Sequence, residues 1–176
     1  MSLYVTGLGG DHDRTRFDCG RQSLDDWFRH QASQADRKQG SARVFVLVDD
    51  EIEEGRLPLG YYAVCGHAVL FEELPEDVRK GQPPQHPVAA VLLARLAIDG
   101  PLQRDPARRL GATLLADVVR QVIQANDHVA TPLLVVDALD EQAANFYKRY
   151  GFVELPEKPL RLVARLKDIR KTFRLD

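Results

Sequence analysis

Residues 88–115 read VAAVLLARLAIDGPLQRDPARRLGATLL and largely determine the architecture of the chain. An apolar run over residues 88–98, interrupted by Arg95, predicts a buried strand. A polar turn follows, and helical spacing begins near Gly111 and Ala112. Unpaired main-chain N–H groups and the positive end of the helix dipole meet at such a helix start, where they favour anions. The stretch therefore predicts a binding site for the pyrophosphate of a nucleotide-like cofactor.

The composition is that of a globular protein, since 44% of the 176 residues are hydrophobic and 28% are charged. This length suits one domain with a substantial core, so we expect a single domain over residues 1–176. The formal net charge of −2 excludes a global basic excess of the kind that binds nucleic acid. A local basic face stays open, because the lysines and arginines are unevenly spread.

The sequence carries no pattern typical of a signal peptide or a membrane span. No apolar run approaches the roughly 20 residues that cross a bilayer. Cys19 and Cys65 lack the C-x-x-C spacing of a zinc or redox motif, and the five histidines are scattered. We therefore expect a protein of the cytoplasm with no membrane segment and no metal.

The N-terminal half predicts antiparallel strands and one helix. Short β-like runs occur at residues 3–8, 43–49 and 59–70, and the last two are expected to pair as a hairpin. Between the first two runs, apolar residues at helical spacing follow Ser23, which is a candidate N-cap. One face of this helix is therefore expected to be buried.

The C-terminal half alternates strands and helices after the central strand. Helical spacing over residues 110–123 leads to a second buried strand at residues 131–138. A helix N-capped by Asp140 comes next, and residues 160–173 begin with strand alternation and are interpreted as a last strand. The predicted fold class is α+β: a mixed central sheet with antiparallel N-terminal strands, a parallel strand–helix–strand core and three to four flanking helices.

Tyr147 is the candidate catalytic residue of this second helix. It lies two helical turns after Asp140, in the sequence DEQAANFYKRYGF. A phenol with an ordinary pKa near 10 is able to donate a proton to a departing thiolate. Aromatic residues at helical spacing are more often core packing, so the residues alone leave both interpretations open.

Five blocks of this sequence, taken in order, resemble the GCN5-related N-acetyltransferases. The blocks are FDCGRQSLDDWFRHQA, RVFVLVDD, LGYYAV, PVAAVLLARLAID and VVDALDEQAANFYKRYGF. Within that family, the order is similar to that of the acetyltransferase toxins of bacterial type II toxin–antitoxin systems, and the similarity spans most of the chain. The resemblance implies acetyl-CoA as cofactor and acetylation of the α-amine of aminoacyl-tRNA, which blocks translation. It also implies a homodimer and a small ribbon-helix-helix antitoxin as partner.

The resemblance also implies a set of site residues, carried over by position. A strand of the RLAID type offers main-chain groups to the pantetheine arm, the following turn and helix start hold the pyrophosphate, and a tyrosine protonates the CoA sulfur. The corresponding residues are Leu96, Ala97 and Ile98 for the arm, Arg108, Arg109, Leu110, Gly111 and Ala112 for the pyrophosphate, Asn145 as a further cofactor contact, and Tyr147 as the acid.

The pyrophosphate turn departs from the family pattern, which is Q/R-x-x-G-x-G/A. Pro106 stands at the leading position and Arg109 stands where the inner glycine is expected. Proline has no N–H to donate, and arginine adds a bulky side chain where the backbone should approach the ligand. Either the arginines bind phosphate directly by charge, or the fold is a degenerate acetyltransferase that serves as a binding module.

The acceptor is less constrained by the sequence than the cofactor. An aminoacyl-tRNA amine needs no strong base, because its pKa is close to that of an α-amino group. A small-molecule or protein amine remains the alternative acceptor. Arg95 is a candidate substrate-binding residue, since a lone charge in an apolar strand must pair, extend to solvent or line a cleft. The lysines and arginines at positions 29, 37, 38, 43, 95, 161, 165, 167, 170 and 171 form a candidate tRNA-backbone face or a set of solvated charges.

Overall fold

The computed structural model of the chain describes residues 2–175. The strands are β1 (Leu3–Gly7), β2 (Arg43–Asp49), β3 (Gly60–Val69), β4 (Val88–Ile98), β5 (Leu133–Asp137), β6 (Val153–Leu155) and β7 (Lys158–Arg165). The α-helices are α1 (Gln22–His30), α2 (Glu76–Arg79), α3 (Gly100–Gln103), α4 (Leu110–Asn126), α5 (Glu141–Lys148) and α6 (Leu166–Phe173). A π-helical segment, Gln34–Gln39, lies between α1 and β2. Among the helices of residues 2–175, none combines the length and the apolar character that a membrane crossing requires.

The strands form a seven-stranded mixed sheet in the order β1-β2-β3-β4-β5-β7-β6. β1, β2 and β3 pair antiparallel, as do β5, β7 and β6. β4 and β5 are parallel, with α4 in the connection between them, because parallel neighbours need a crossover. The predicted α+β class with a parallel strand–helix–strand core is confirmed. The parallel register ends at Leu93↔Val136, whereas β4 continues to Ile98.

The chain divides into two compact units, and each consists of two stretches of sequence. The first unit holds the residues up to Cys65 together with Arg95–Asp117, and the second holds Gly66–Ala94 together with the residues from Val118 onward. β3, β4 and α4 therefore each contribute residues to both units. The expectation of a single domain over residues 1–176 stays a prediction.

An aromatic cluster forms the core of the first unit. The rings of Phe28 and Tyr61 are parallel with centroids 4.0 Å apart, and Phe17 meets them edge-on at 4.9 and 5.5 Å. The Tyr61 hydroxyl donates to the carbonyl of Leu24 at 2.9 Å, which satisfies its polar end. This cluster fixes α1 against β3, as the apolar face predicted for the helix requires.

The second unit has an aliphatic core. Its members come from β3, β4, β5, β6, β7, α2 and the segment before α2, and they are Val69, Leu74, Val78, Val88, Ala90, Leu133, Val135, Leu155 and Val163, with Leu92 partly buried beside them. β5 is buried over Leu133–Val136, which explains its continuous apolar sequence.

Two details of the predicted elements were wrong. Ser23 is not the N-cap of α1, which begins one residue before it at Gln22, and Asp25 accepts a bond from the Cys19 N–H at 2.9 Å instead. Residues 160–173 are not one strand, because β7 ends at Arg165 and α6 follows it. The reason is a change of period: Leu166 and Ile169 are buried at helical spacing, and Arg165 pairs with Asp168 over the same spacing.

Candidate active site

The end of β4 lies in the core of the first unit. Ala97 belongs to the same cluster as Trp27 and Tyr61, whereas Ile98 and Leu114 of α4 lie against Gly60. The two faces of the strand end are therefore covered by different parts of the unit. Because Ala97 and Ile98 are buried, this segment has its main chain rather than these side chains to offer a ligand.

Gly60 is the reason that α4 approaches the sheet closely. A Cβ atom at this position would lie 2.8 Å from Cδ1 of Ile98, 3.0 Å from the carbonyl oxygen of Ala97 and 3.0 Å from Cδ1 of Leu114. A side chain at this position would have to displace these atoms, and the Ala97 carbonyl oxygen belongs to the main chain, which moves least easily. Further along α4, Asp117 accepts a hydrogen bond from the buried Tyr62 hydroxyl at 2.7 Å, and this bond holds the first half of the helix.

Hydrogen bonds, here called the clasp, join the turn after β4 to the segment before α1. The Gln103 side-chain amide donates to the carbonyls of Cys19 and Ile98, both at 2.7 Å. The Asp99 carboxylate accepts from the N–H of Asp18 at 3.0 Å. These bonds hold the short helix α3, which lies within the turn. The sequence did not predict the clasp, because Gln103 and Asp99 lie more than 80 residues from Cys19 and Asp18.

Arg109 adopts the left-handed backbone conformation that glycine favours, with φ +46°. A residue with a Cβ atom pays about 1–2 kcal/mol for this conformation. Arg109 is exposed, and within residues 2–175 its side chain makes no ion pair or hydrogen bond. Arg108 differs, because its Nε pairs with Asp105 at 3.0 Å. Of the two predicted phosphate-binding arginines, Arg109 has the guanidinium that is free for a ligand.

Among the residues that the structure describes, the start of α4 has main-chain donors without acceptors. The first main-chain bond is from the N–H of Thr113 to the carbonyl of Arg109 at 3.1 Å. In the described part of the chain, the N–H groups of Leu110, Gly111 and Ala112 meet no acceptor. Gly111 and Ala112 are half-buried and small. These donors, together with Arg109, fit an anionic group such as a pyrophosphate.

Tyr147 is buried on α5, with 5% of its surface exposed. Its ring meets Phe146 and Phe152 edge-on, with centroids 5.1 and 5.7 Å away. Burial raises the pKa of the Tyr147 phenol well above its ordinary value near 10. Within residues 2–175 its hydroxyl has no hydrogen-bond partner. The result is a neutral phenol, rigidly held, whose proton no other described residue accepts.

Asn145 lies on a different side of the same helix. It is two residues from Tyr147, which is about 200° around an α-helix. It is exposed and borders a surface depression of about 740 Å³. The other lining residues are Gln142, Phe146, Lys148 and Arg149. Asn145 and Tyr147 belong to the second unit, whereas Leu96–Ile98 and residues 108–112 belong to the first.

Arg95 is half-buried, and its guanidinium carbon lies 4.1 Å from the centroid of the Trp27 ring. This is a cation–π contact. Trp27 was missed as a site residue: its helical spacing predicted that it is buried, but nothing in the sequence indicates which strand residue it meets.

The candidate tRNA-backbone residues near the C-terminus are partly neutralised. Arg161 forms a two-bond pair with Asp137, at 2.6 and 2.9 Å, and Arg165 pairs with Asp168 at 2.6 Å. Guanidinium groups held in such pairs have fewer donors for an external phosphate. The structure therefore weakens the prediction for these two arginines.

A mixed sheet with a parallel β4–α4–β5 connection, followed by a capped helix that carries the tyrosine, is the architecture of a GCN5-related N-acetyltransferase. No protein-family model matches the chain. The chain is similar to the tRNA-acetylating toxin of Mycobacterium tuberculosis, with 37% identity over 158 residues that cover 90% of this chain and 89% of the relative. It therefore belongs to the tRNA-acetylating toxins of the GCN5-related N-acetyltransferase family.

Solved structures agree with this assignment. The toxin AtaT in complex with acetyl-methionyl-tRNAfMet is 32% identical, with a TM-score of 0.86 and coverage of 98% of this chain and 99% of that chain. A tyrosine-to-phenylalanine mutant of AtaT, bound to the C-terminus of the antitoxin AtaR and acetyl-CoA, is 31% identical. Its TM-score is 0.77, with coverage of 98% of this chain and 99% of that chain.

Proposed function

We propose that the chain transfers the acetyl group of acetyl-CoA to the α-amine of an aminoacyl-tRNA. The observation that carries the proposal is Tyr147, a buried phenol with a raised pKa and no hydrogen-bond partner within residues 2–175. Membership of the family and the complex of AtaT with an acetylated aminoacyl-tRNA support the same reaction.

The cofactor is held chiefly by main-chain groups of the first unit. The end of β4, Leu96 to Ile98, serves the pantetheine arm, and the N–H groups of Leu110, Gly111 and Ala112 serve the pyrophosphate. The Arg109 guanidinium adds a charge-assisted contact that compensates for the missing glycine, whereas Arg108 is held by Asp105 and contributes mainly its charge. Acetyl-CoA, when bound, supplies an acetyl group activated as a thioester.

Tyr147 acts as the general acid. Its O–H donates the proton that the departing thiolate requires, and burial keeps the phenol protonated until that moment. The acceptor amine attacks as the neutral base, and its ordinary pKa near 8 leaves enough of that form at neutral pH. The chain therefore needs no strongly basic side chain beside the amine.

Arg95 and Asn145 have supporting roles in this proposal. Asn145 contacts a part of the cofactor other than the sulfur, since it lies on the side of α5 away from Tyr147. Arg95 contacts the acceptor, because it is only half-buried and its guanidinium makes no ion pair within the described residues. The basic residues 29, 37 and 38 of the first unit contribute to an RNA-backbone face.

The proposal includes a partner and an assembly state. A small antitoxin of the ribbon-helix-helix type is the expected partner, and the structure of AtaT with the C-terminus of AtaR supports an antitoxin of some kind. A homodimer and a cytoplasmic location are proposed with it, since the substrate is made in the cytoplasm.

Acetyl transfer from radiolabelled acetyl-CoA is the direct test. Charged tRNA, the same tRNA after deacylation, a polyamine and a peptide are offered in parallel. We expect label on the charged tRNA alone. Label on the polyamine or peptide, with none on charged tRNA, would favour a small-molecule or protein acceptor. A calorimetric titration that detects no binding at millimolar acetyl-CoA would favour the non-catalytic binding module.

A further inference from the structure

In the described part of the chain, the guanidinium of Arg95 is a cation without a carboxylate partner. It sits on the Trp27 ring at 4.1 Å, in a strand whose other residues are apolar. Within residues 2–175 it makes no hydrogen bond and no ion pair, although a guanidinium has five N–H donors. A half-buried cation of this kind is stabilised when an external anion reaches it.

Arg95 is on the opposite face of β4 from α4. Alternation along a strand places Arg95 and Ala97 on one face and Ile98 on the other. Ala97 shares a cluster with Trp27, whereas Ile98 and Leu114 of α4 lie against Gly60. Arg95 is therefore not a further contact for a pyrophosphate at the start of α4, and its anion belongs to another ligand.

Trp27 fixes the position of this guanidinium. The indole has 9% of its surface exposed and lies nearly parallel to the Tyr61 ring, with an angle of 19° and centroids 6.1 Å apart. Tyr61 is itself held by its bond to Leu24. A planar fork held in one place suits the two-bond recognition of a phosphodiester or a carboxylate.

The first unit carries further positive charge that favours the phosphodiester. Three more arginines of the first unit are anchored through main-chain carbonyls, and in residues 2–175 none of the three pairs with a carboxylate. The bonds are Arg14 Nη1 to the Phe28 carbonyl (2.8 Å), Arg29 Nη2 to the Phe17 carbonyl and Arg37 Nη2 to the Leu8 carbonyl (3.3 Å). Burial and the Arg37 charge lower the pKa of Arg14, as expected where positive charge is not neutralised. Arginines that pair with no carboxylate in residues 2–175 favour a polyanion with repeated phosphates over one carboxylate.

We propose that Arg95 binds a phosphodiester of the RNA acceptor near its aminoacylated end, and that Trp27 is the positioning residue for this contact. The inference rests on the proposed function, because it takes aminoacyl-tRNA as the acceptor. It adds which group of the acceptor is recognised and by which pair of side chains.

Arg95→Lys tests the contact, since it keeps the charge and loses the planar fork. The wild-type enzyme and each variant are assayed with two acceptors: aminoacyl-tRNA, and an aminoacyl-adenosine analogue that carries no phosphate. We expect the KM for aminoacyl-tRNA to rise about tenfold with kcat unchanged, and the KM for the analogue to stay the same. The slope of log(kcat/KM) for tRNA against log salt should change little, because lysine keeps the positive charge that displaces a counterion. Arg56→Lys is the matched control, because Arg56 is an exposed arginine paired with Glu54. It should leave the KM for both acceptors unchanged.

Trp27→Phe tests the positioning role, because it keeps an aromatic face under the guanidinium. Its KM for aminoacyl-tRNA should rise less than that of Trp27→Leu, while the two variants keep the same KM for the analogue. Equal rises for both acceptors in Arg95→Lys would overturn the proposal, as would a rise in the KM for acetyl-CoA or no change at all. If wild-type enzyme leaves aminoacyl-tRNA unmodified, the proposed function fails instead, and that outcome is visible before any variant is made.

Discussion

The two helices that follow the parallel strands begin in opposite ways. At the start of α5, Asp140 accepts a bond from the N–H of Ala143 at 2.9 Å. At the start of α4, within residues 2–175, the N–H groups of Leu110, Gly111 and Ala112 meet no acceptor. A helix start that the protein satisfies itself adds rigidity, whereas one left open keeps its donors for a ligand.

The residues just before the two helices also differ in the energetic cost of their backbone conformations. Asp140 has an extended backbone with φ −155°, which costs little. Arg109 is left-handed at φ +46°, which costs about 1–2 kcal/mol. The protein therefore keeps a strained arginine beside the open helix start and a relaxed cap beside the closed one. Rigidity at α5 suits the helix that carries Tyr147.

Loss of the Tyr147 phenol on α5 should have the largest effect, and it should act on kcat. Tyr147→Phe removes the proposed acid and keeps the ring that packs against Phe146 and Phe152. We expect kcat to fall by about 10²- to 10⁴-fold, the range typical of general acid catalysis, with the dissociation constant for acetyl-CoA unchanged. Steady-state kinetics and calorimetry measure the two quantities.

Tyr150→Phe is the matched control, because Tyr150 is half-buried and stacks on Phe173 at 5.2 Å. It should keep wild-type turnover. The pH profile gives a second check on the same proton: burial raises the pKa of Tyr147, so its phenol stays protonated through pH 9 and turnover should show no descending limb there. Wild-type turnover in Tyr147→Phe, or a limb centred below pH 9 that this variant removes, contradicts the assignment.

Arg109→Gly, just before α4, should change both the stability of the protein and its affinity for acetyl-CoA. Glycine relieves the left-handed strain of about 1–2 kcal/mol, but it adds about 0.5–1 kcal/mol of freedom to the unfolded chain. The free energy of unfolding should therefore rise by about 0.5–1 kcal/mol. Loss of the guanidinium should weaken acetyl-CoA binding about tenfold, since a hydrogen bond to a charged group contributes about 1.5 kcal/mol or more.

Arg109→Ala separates the two effects in that experiment. Alanine loses the guanidinium but keeps a Cβ atom in the left-handed conformation, so binding should weaken without a gain in stability. Denaturant unfolding and calorimetry measure both quantities. Tighter acetyl-CoA binding by the glycine variant would show that the arginine obstructs the site, as the departure from the family pattern first suggested.

The contrast between the two helix starts was only half visible in the sequence. The Asp140 cap is a local signal, and the structure confirms it. The spacing of leucines and valines likewise predicted α4 correctly, because amphipathic periodicity is set by local geometry. Both follow from residues that lie within a few turns of one another.

The features that the sequence did not predict depend on distant partners. The clasp of Gln103 on Cys19 and the Trp27–Arg95 contact join residues far apart in the chain. The sequence showed only that Arg109 stands where the family pattern has a glycine, and its left-handed conformation was not predicted, since its φ is set by the folded turn around it. Burial of Tyr147 was one of two open interpretations, and its catalytic role stays a prediction.

Removing the cap from the closed helix start should have a moderate effect. Asp140→Ala leaves the Ala143 N–H without its acceptor, so the free energy of unfolding should fall by about 1 kcal/mol and Tm by about 2–4 °C. Asp140→Asn is the matched control, because asparagine caps helices about as well as aspartate. If the asparagine variant loses as much stability as the alanine variant, charge rather than the cap is what Asp140 provides.

The smallest expected effect is the stabilisation of the folded state by inorganic pyrophosphate, which probes the start of α4 alone. At a concentration equal to its dissociation constant, a ligand that binds only the folded state stabilises it by about 0.4 kcal/mol, or about 1 °C in Tm for a chain of this size. In Asp140→Ala, pyrophosphate should raise Tm by the same increment, although the variant starts from a lower Tm, because the cap and the anion act on different helices. Arg109→Ala should show less, because it lacks the guanidinium. An equal increment in wild type and Arg109→Ala would mean that pyrophosphate binds without this arginine, and a loss of the increment in Asp140→Ala would mean that the two helix starts are coupled.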